Sequence, residues 1–206
     1  MSLLNHWTGN NTTNDIINSA HLSWDGTPEY QDNAFKLISL NGQSTNKLIF
    51  PDFPILPGIP FSYEGELFAE NNNGFPHLNI TQNSTKALWL LFDFSEGFFQ
   101  VCNAISGWTQ WFTGLSDASI NTWWPFKLTY DGTFIWKFYM GGEEIPECDN
   151  SQTGKSAYKP IMVPDSRIFG GVDTSPHMEI SNWPDWGNGY ILLKNLKFYD
   201  DNNPPI

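Results

Sequence analysis

The strongest pattern along the chain is the alternation of apolar and polar residues between positions 123 and 145. The run 126–130 alternates large apolar residues with Lys and Thr, and the run 134–140 repeats the alternation. A period of two is typical of a strand that buries one face. Asp131-Gly132 between the runs suits a tight reversal, and Gly141-Gly142 suits another. The stretch predicts a β-hairpin that continues as a meander.

Similar runs predict strands along the rest of the chain. The run 61–68 has one polar face, whereas 87–94 is apolar on both faces, which indicates a central strand. Residues 1–34 are expected to form an edge strand and loops anchored by Trp7 and Trp24. No amphipathic helical pattern exceeds two turns. The remaining predicted strands are 34–40, 47–50, 78–81, 98–105, 167–172 and 189–200, with a polar excursion at 147–160.

Length and composition agree with one folded β-domain. The chain has 206 residues, of which 16% are aromatic and 16% are charged. These values favour a packed core over disorder. We therefore expect a single domain, residues 1–206, that is an all-β, two-sheet antiparallel β-sandwich.

The charge balance limits the choice of partners. The net charge is −12, and the acidic residues are scattered along the chain. Such a surface repels phosphate backbones and anionic lipid, so we expect no nucleic-acid partner and no membrane insertion. We find no pattern of a signal peptide or a membrane span. Cys102 and Cys148 are the only cysteines, and their contexts favour two free thiols over a bridge.

The central hairpin resembles that of the concanavalin A-like superfamily, which includes laminin-G-like domains and legume-type lectins. The closing run 189–200 resembles the final strand of the same superfamily. The resemblance implies a jelly roll and specifies a scaffold, not an activity. The hairpin positions that carry it are Trp123, Phe126, Leu128, Tyr130, Asp131, Gly132, Tyr139 and Gly142.

Ten tryptophans invite a carbohydrate-binding interpretation. Sugars stack their C–H faces on aromatic rings and direct their hydroxyls to amides and carboxylates. Two segments combine these residue types. The loop at 182–188 contains Asn182, Trp183, Asp185, Trp186 and Asn188, and the segment at 107–114 contains Trp108, Gln110 and Trp111.

The same indoles are also compatible with plain packing, because most Trp side chains in proteins are largely buried. For the loop at 182–188 we weigh the two interpretations equally, and for 107–114 packing is slightly favoured. For Trp89, Trp123 and Trp136, which lie inside strong strand patterns, we expect a place in the core.

Catalysis has less support. Glycosidases of the concanavalin A-like fold carry a Glu-x-Asp-x-x-Glu strand motif. Asp93 and Glu96 have the spacing of its last two carboxylates, but Leu91 stands in place of the nucleophile. His6, His21, His77 and His177 are isolated from one another in sequence, and no zinc-binding spacing occurs. We therefore expect no enzyme and no cofactor.

A structural Ca²⁺ remains compatible with the resemblance, because related lectins often hold one with Asp and Asn oxygens. Its candidate ligands here are Asp131, Asp173, Asp185 and Asp200. Asp in a turn more often caps its own backbone, which is the competing interpretation.

Together these patterns predict a non-catalytic carbohydrate-binding module that recognises a saccharide of a host cell surface or cell wall. The composition and the apparent lack of a leader favour an excised piece of a larger, multimeric assembly. A module inserted in a bacteriophage tail-tip protein, or in another extracellular protein, fits this description. The alternatives are a glycoside hydrolase or lyase of the same fold, and a structural virion or interaction domain without sugar binding.

Overall fold

The computed structural model describes residues 2–41, 43–50, 60–70, 75–82, 85–93, 98–103, 107–112, 121–132, 136–144, 177–183 and 188–200. Within these ranges the regular secondary structure consists of β-strands. No helix in the described ranges is long and apolar enough to cross a bilayer.

The larger sheet is antiparallel throughout, and its main order is β14-β13-β12-β7-β16-β4-β3. Two further strands join it, since β1 pairs with β16 and β5 pairs with β4. Its strands are β1 Ser2–Trp7, β3 Tyr30–Gln31, β4 Ala34–Leu40, β5 Gln43–Ser44, β7 Phe61–Ala69, β12 Trp124–Tyr130, β13 Trp136–Met140, β14 Glu143–Glu144 and β16 Gly189–Asp200.

The smaller sheet is also antiparallel, in the order β11-β10-β9-β8-β15-β6-β2. The two sheets confirm the predicted antiparallel β-sandwich. The strands of the smaller sheet are β2 Ser23–Gly26, β6 Asn46–Ile49, β8 Phe75–Gln82, β9 Thr85–Asp93, β10 Phe98–Asn103, β11 Gly107–Phe112 and β15 His177–Trp183.

The predicted hairpin is present as β12 and β13, which pair from Phe126↔Met140 to Tyr130↔Trp136. Gly132 has a φ of 85°, as the reversal requires. Gly141 and Gly142 also have positive φ and lead into β14, so the meander is confirmed. The predicted central strand at 87–94 is β9, which is paired on both sides.

The predicted closing strand is β16, and it lies at the centre of the larger sheet. Its residues 191–200 pair with β7, its first half pairs with β4 and its second half pairs with β1. A β-bulge interrupts the pairing with β7 between Lys194 and Lys197. Asn195 in the bulge has a φ of 51°, a conformation that Asn tolerates better than most residues.

The core lies between the two sheets and is rich in aromatic rings. Phe50 follows β6 and contacts Trp7 and Tyr63 in T-shaped pairs, with centroids 5.3 and 5.6 Å apart. Burying a large apolar side chain contributes about 1.5–3 kcal/mol, so this layer dominates stability. The largest side chains that are almost wholly buried are Trp7, Phe35, Leu37, Leu48, Tyr63, Leu67 and Phe198.

The N-terminal region has the predicted edge strand and loops. Trp7 ends β1, is fully buried and donates its Nε1–H to the Ala20 carbonyl at 2.8 Å. Trp24 is half-buried and contacts Tyr30 both edge-on and through a 3.2 Å hydrogen bond from its Nε1. Both tryptophans therefore act as anchors, as expected.

The prediction that Trp123 lies in the core is wrong. The strand begins one residue later, at Trp124, and Trp123 is half-buried against Phe68 with the ring centroids 5.5 Å apart. Phe68 alternates with the buried Leu67 and Ala69 and so occupies an outward position of β7. Trp89 and Trp136 lie in strands whose side chains are not described there, so their core placement stays a prediction. The predicted strand 167–172 and the excursion 147–160 lie outside the described residues.

Candidate functional site

A groove of about 470 Å³ crosses the outer face of the larger sheet. Its volume falls within the range of small-ligand sites, roughly 300–1,000 Å³. Strands β7, β12, β13 and β16 form its floor. The side chains that give it chemistry are Glu64, Glu66, Lys127, Tyr139, Asn195 and Lys197. We call these residues and the space above them the outer groove.

Strand alternation places the two carboxylates in the outer groove. Along β7, Tyr63 and Leu67 are buried in the core, while Glu64 and Glu66 are half-exposed on the opposite face. Gly65 lies between them. A Cβ at Gly65 would lie 2.6 Å from Leu196 Cδ2, so glycine lets the core side chains pack under the groove floor.

The bulge in β16 aligns two lysines with these carboxylates. Lys194 and Lys197 are three positions apart, a spacing that a regular strand would divide between its two faces. Because the bulge adds one residue, Lys194 lies opposite Glu66 and Lys197 lies opposite Glu64. The ammonium-to-carboxylate distances are 3.5 Å for the first pair and 3.4 Å for the second.

Hydrogen bonds fix the carboxylates further. Glu66 Oε1 accepts a 2.6 Å bond from Asn195 Nδ2, and its Oε2 is the atom nearest Lys194. Glu64 Oε1 accepts bonds from both Tyr199 OH, at 2.7 Å, and Lys197 Nζ. Glu64 Oε2 makes no hydrogen bond with any described residue. The groove floor is thus preorganised and retains one acceptor for a ligand.

An aromatic surface adjoins the Glu66 end of the groove. The Lys194 ammonium lies 3.8 Å from the centroid of the Trp123 ring while it also pairs with Glu66. A cation–π contact of this kind fixes both side chains. Trp123 therefore presents a partly exposed indole next to a carboxylate and an amide, the combination that sugar recognition requires.

The opposite wall is formed by the hairpin. Tyr139 OH donates to Glu144 Oε2 at 3.2 Å, and Lys137 Nζ lies 3.1 Å from the same oxygen. Burial, followed by the charge of Glu144, raises the pKa of the Tyr139 phenol. The hydrogen bond to Glu144 raises the pKa of Lys137. Lys127 is level with Glu64 and Tyr139 but forms no ion pair within the described ranges.

His6 borders the groove from β1, where it pairs with Lys197 of β16. Burial lowers the pKa of this imidazole, and the nearby charge of Lys197 lowers it further. The neutral imidazole is therefore favoured beside the outer groove.

The predicted site at 182–188 joins the two sheets. Asn182 is fully buried and donates from Nδ2 to the Gly189 carbonyl at 3.2 Å, which ties the end of β15 to the start of β16. Asn188 is exposed, and its Oδ1 accepts from the Asn41 backbone N–H at 2.7 Å. Trp183 is the last residue of β15, a strand that the sequence did not predict; its side chain is not described.

Asp185 and Trp186 lie outside the described residues. The sugar-binding role of the loop at 182–188 therefore stays a prediction.

The second predicted cluster lies in β11, at one edge of the smaller sheet. Alternation puts positions 108 and 110 on one face of the strand and position 111 on the other. Hence Trp108 and Gln110 occupy positions on one face of β11, and Trp111 occupies a position on the other. β11 is four strands away from β15, about 19 Å at ordinary strand spacing, so the two clusters do not form one small site. The side chains of β11 are not described, and their binding role stays a prediction.

The predicted calcium site stays a prediction, because two of its four candidate ligands lie outside the described residues. Asp131 follows β12 and Asp200 ends β16, while Asp173 and Asp185 are outside the described ranges. Among the residues that are described, no group of three or more His, Cys, Asp or Glu side chains could hold a metal ion.

Sequence reasoning missed the outer groove. It recognised the polar face of β7 but read it as solvated. The available signal was the pair Glu64 and Glu66 on one face, together with Lys194 and Lys197 in the closing strand. That signal was concealed because regular alternation assigns the two lysines to opposite faces, and only the bulge brings them together.

Comparisons with known proteins support the fold. No protein-family model matches the chain. No curated protein matches it either.

Solved structures do match. The binding domain of botulinum neurotoxin DC, in complex with rat synaptotagmin II, gives a TM-score of 0.67 at 14% identity, covering 97% of this chain and 48% of its own. A botulinum neurotoxin type C structure gives 0.64 at 16% identity, with the same coverage of each chain. The binding domain of Paraclostridial Mosquitocidal Protein 1 gives 0.61 at 13%, covering 96% of this chain and 48% of its own. This chain spans about half the length of these structures and shares its β-sandwich fold with that half.

Proposed function

We propose that the protein is a non-catalytic module that binds a saccharide in the outer groove. The observation that carries the proposal is the groove itself, where Glu66, Asn195 and Lys194 form a fixed polar cluster next to the Trp123 indole. Hydroxyl groups of a sugar can bond to such carboxylates and amides while a C–H face stacks on the indole.

The structural neighbours support a binding role. Two of them are binding domains, and the third belongs to botulinum neurotoxin type C, whose cell entry depends on interaction with two ganglioside molecules. Gangliosides carry sugar headgroups. Since this chain matches about half of each neighbour, the argument for its own site rests on the outer groove.

A groove that is shallow and open to water binds one saccharide weakly. Each hydrogen bond to the ligand replaces a hydrogen bond to water, so the gain in binding free energy per contact is small. Useful strength would come from several copies on one particle. This reasoning favours a host cell-surface saccharide as the partner and a multimeric extracellular assembly, such as a phage tail tip, as the setting. Antibodies against the domain should then label tail tips of particles from its source and block their adsorption. Labelling confined to secreted protein would instead favour a non-virion setting.

The decisive test is binding of the domain to a glycan array and to cell walls from a panel of bacteria. We expect Trp123→Ala to lower binding about two- to tenfold, since stacking on an aromatic ring contributes about 0.5–1.5 kcal/mol beyond burial. Trp24→Ala is the matched control, because Trp24 is also half-buried but lies on β2 of the other sheet. Once circular dichroism shows that this variant is folded, it should bind like the parent.

Trp183→Ala and Trp186→Ala test the competing loop site in the same assay. Loss of binding in these variants alone would move the site to 182–188. Absence of binding by the parent domain to every glycan and cell wall would overturn the proposal and favour a structural domain.

A glycoside hydrolase is the second candidate, and one observation favours it. Glu64 and Glu66 lie two positions apart on one strand face, so their Cα atoms are about 7 Å apart, and inverting enzymes hold their two carboxyl groups about 6.5–9.5 Å apart. However, each is paired with a lysine, whereas an inverting enzyme needs one protonated carboxyl as its acid. Release of reducing ends from a bound polysaccharide, abolished by Glu64→Gln, would establish the hydrolase.

A further inference from the structure

The outer groove contains two polar groups of opposite charge that have no ion-pair or hydrogen-bond partner within the described part of the chain. Lys127 lies level with Glu64 on the adjacent strand, yet its ammonium forms no ion pair with any described residue. Glu64 uses Oε1 for both Lys197 and Tyr199 and leaves Oε2 without a described partner. A half-exposed cation and a half-exposed acceptor therefore face the same space.

The charges around the groove make Lys127 distinctive. Three carboxylates on this face each have their own lysine: Glu64 has Lys197, Glu66 has Lys194 and Glu144 has Lys137. Of the lysines that line the groove, Lys127 is the one without a carboxylate partner among the described residues. The chain as a whole carries a net charge of −12, so a locally unbalanced ammonium would attract an anion to one spot of an otherwise repelling surface.

The chemistry of the two free groups defines the ligand. A single ammonium balances a single negative charge, and a free carboxylate oxygen accepts from a hydroxyl. A pyranose that carries a carboxylate next to hydroxyl groups supplies both. Phosphate fits less well, because its recognition favours the bidentate guanidinium fork, and none of the described residues that line the groove is an arginine.

We propose that the outer groove selects an acidic sugar, with the sugar carboxylate on Lys127 Nζ and a neighbouring hydroxyl donating to Glu64 Oε2. The inference rests on the proposed saccharide-binding function and specifies its ligand class. Sialic and uronic acids share this chemistry, and the probes separate the two sources.

The test measures the affinity of the domain for sialyllactose and for a glucuronate-containing oligosaccharide, each beside its methyl ester. Esterification removes the charge and keeps the ring. We expect the parent to bind the acid form of at least one sugar about tenfold more tightly than the ester, since hydrogen bonds to charged groups are among the stronger ones.

Variants of Lys127 test whether this residue causes the preference for the acid form over the ester. Lys127→Gln should bring the acid-to-ester ratio close to one, while Lys127→Arg should retain most of it. Lys137→Gln is the matched control, because it also removes one ammonium from the outer face of the hairpin but from a residue already paired with Glu144. It should leave the ratio unchanged. Circular dichroism and thermal melting would show that each variant is folded.

The outcomes separate this inference from the proposed function. Equal binding of acid and ester, or a ratio that survives in Lys127→Gln, overturns the acidic-sugar inference and leaves the saccharide-binding function standing. Lys127-dependent binding of a polyol-phosphate polymer in preference to both acids overturns the carboxylate assignment. If the parent binds no sugar of any charge, the proposed function fails as well.

Discussion

The two faces of the larger sheet are formed by the same strands, but one face packs into the core and the other lines the outer groove. On β7, Tyr63 and Leu67 point into the core and are almost fully buried, whereas Glu64 and Glu66 point outward into the groove. The inner side chains contribute through apolar burial, which scales with the area removed from water. The outer ones form partly exposed ion pairs, which contribute about 0–1 kcal/mol each.

The difference shows where each property of the protein resides. Stability depends on the inner face, so changes there should be felt by folding. The outer face contributes little to stability, so changes there should be felt by binding.

The largest difference in stability is expected between variants of Phe198 and Lys197. Phe198 is 1% exposed and packs on Phe61, so Phe198→Ala should lower the free energy of unfolding by about 3–5 kcal/mol through lost burial and a cavity. Lys197→Ala should cost about 0–1 kcal/mol, because its ion pair with Glu64 is partly exposed. Urea unfolding of both variants measures the difference. Similar losses for the two would contradict the division of roles.

The next contrast concerns Gly65, where the groove floor and the core are closest. A methyl group there would approach Leu196 Cδ2 to 2.6 Å and Phe126 Cε1 to 3.1 Å. Gly65→Ala should therefore lower stability by about 1–3 kcal/mol through overpacking. A combined Gly65→Ala, Leu196→Ala variant should recover part of this loss relative to the sum of the single changes. Thermal melting measures both, and a silent Gly65→Ala would show that the neighbours move freely.

Removal of a tyrosine hydroxyl can be compared on the two faces of the larger sheet. Tyr63 is buried with its hydroxyl lacking a described hydrogen-bond partner, and burial raises its pKa well above the usual range. Tyr199 OH donates to Glu64. Tyr63→Phe should leave stability unchanged or raise it, whereas Tyr199→Phe should lower it by about 0.5–1.5 kcal/mol. A loss of stability in Tyr63→Phe would reveal a partner for the buried hydroxyl.

The smallest expected effect is a pH dependence at the groove border. The pKa of His6 is lowered in the folded state, chiefly by burial, so the unfolded state binds more protons than the folded state below about pH 6.5. The contribution of His6 to stability is complete above the unfolded pKa and is lost as the pH falls through the folded pKa. His6→Gln should therefore reduce the fall in melting temperature between about pH 7 and pH 5. An identical slope in parent and variant would contradict this.

Several elements of the fold were predictable because their cause is local. The hairpin of β12 and β13, the closing strand β16 and the central strand β9 all followed from period-two patterns or continuous apolar runs bounded by turn residues. Strand β15 was missed because its residues, His177–Trp183, mix polar and apolar types and end in the aromatic loop. Trp123 was misplaced because the pattern did not show that the strand starts at residue 124.

What the sequence determined by itself was the β-sandwich class, the paired strands of the central hairpin and the overall negative charge, because alternation, turn chemistry and composition act over a few residues or over the whole chain. The outer groove was decided only by tertiary structure. Its carboxylates and lysines come from β7 and β16, about 130 positions apart. Their alignment depends on one bulge at Asn195, which strand pairing creates and which shifts every later side chain of β16 by one position relative to β7.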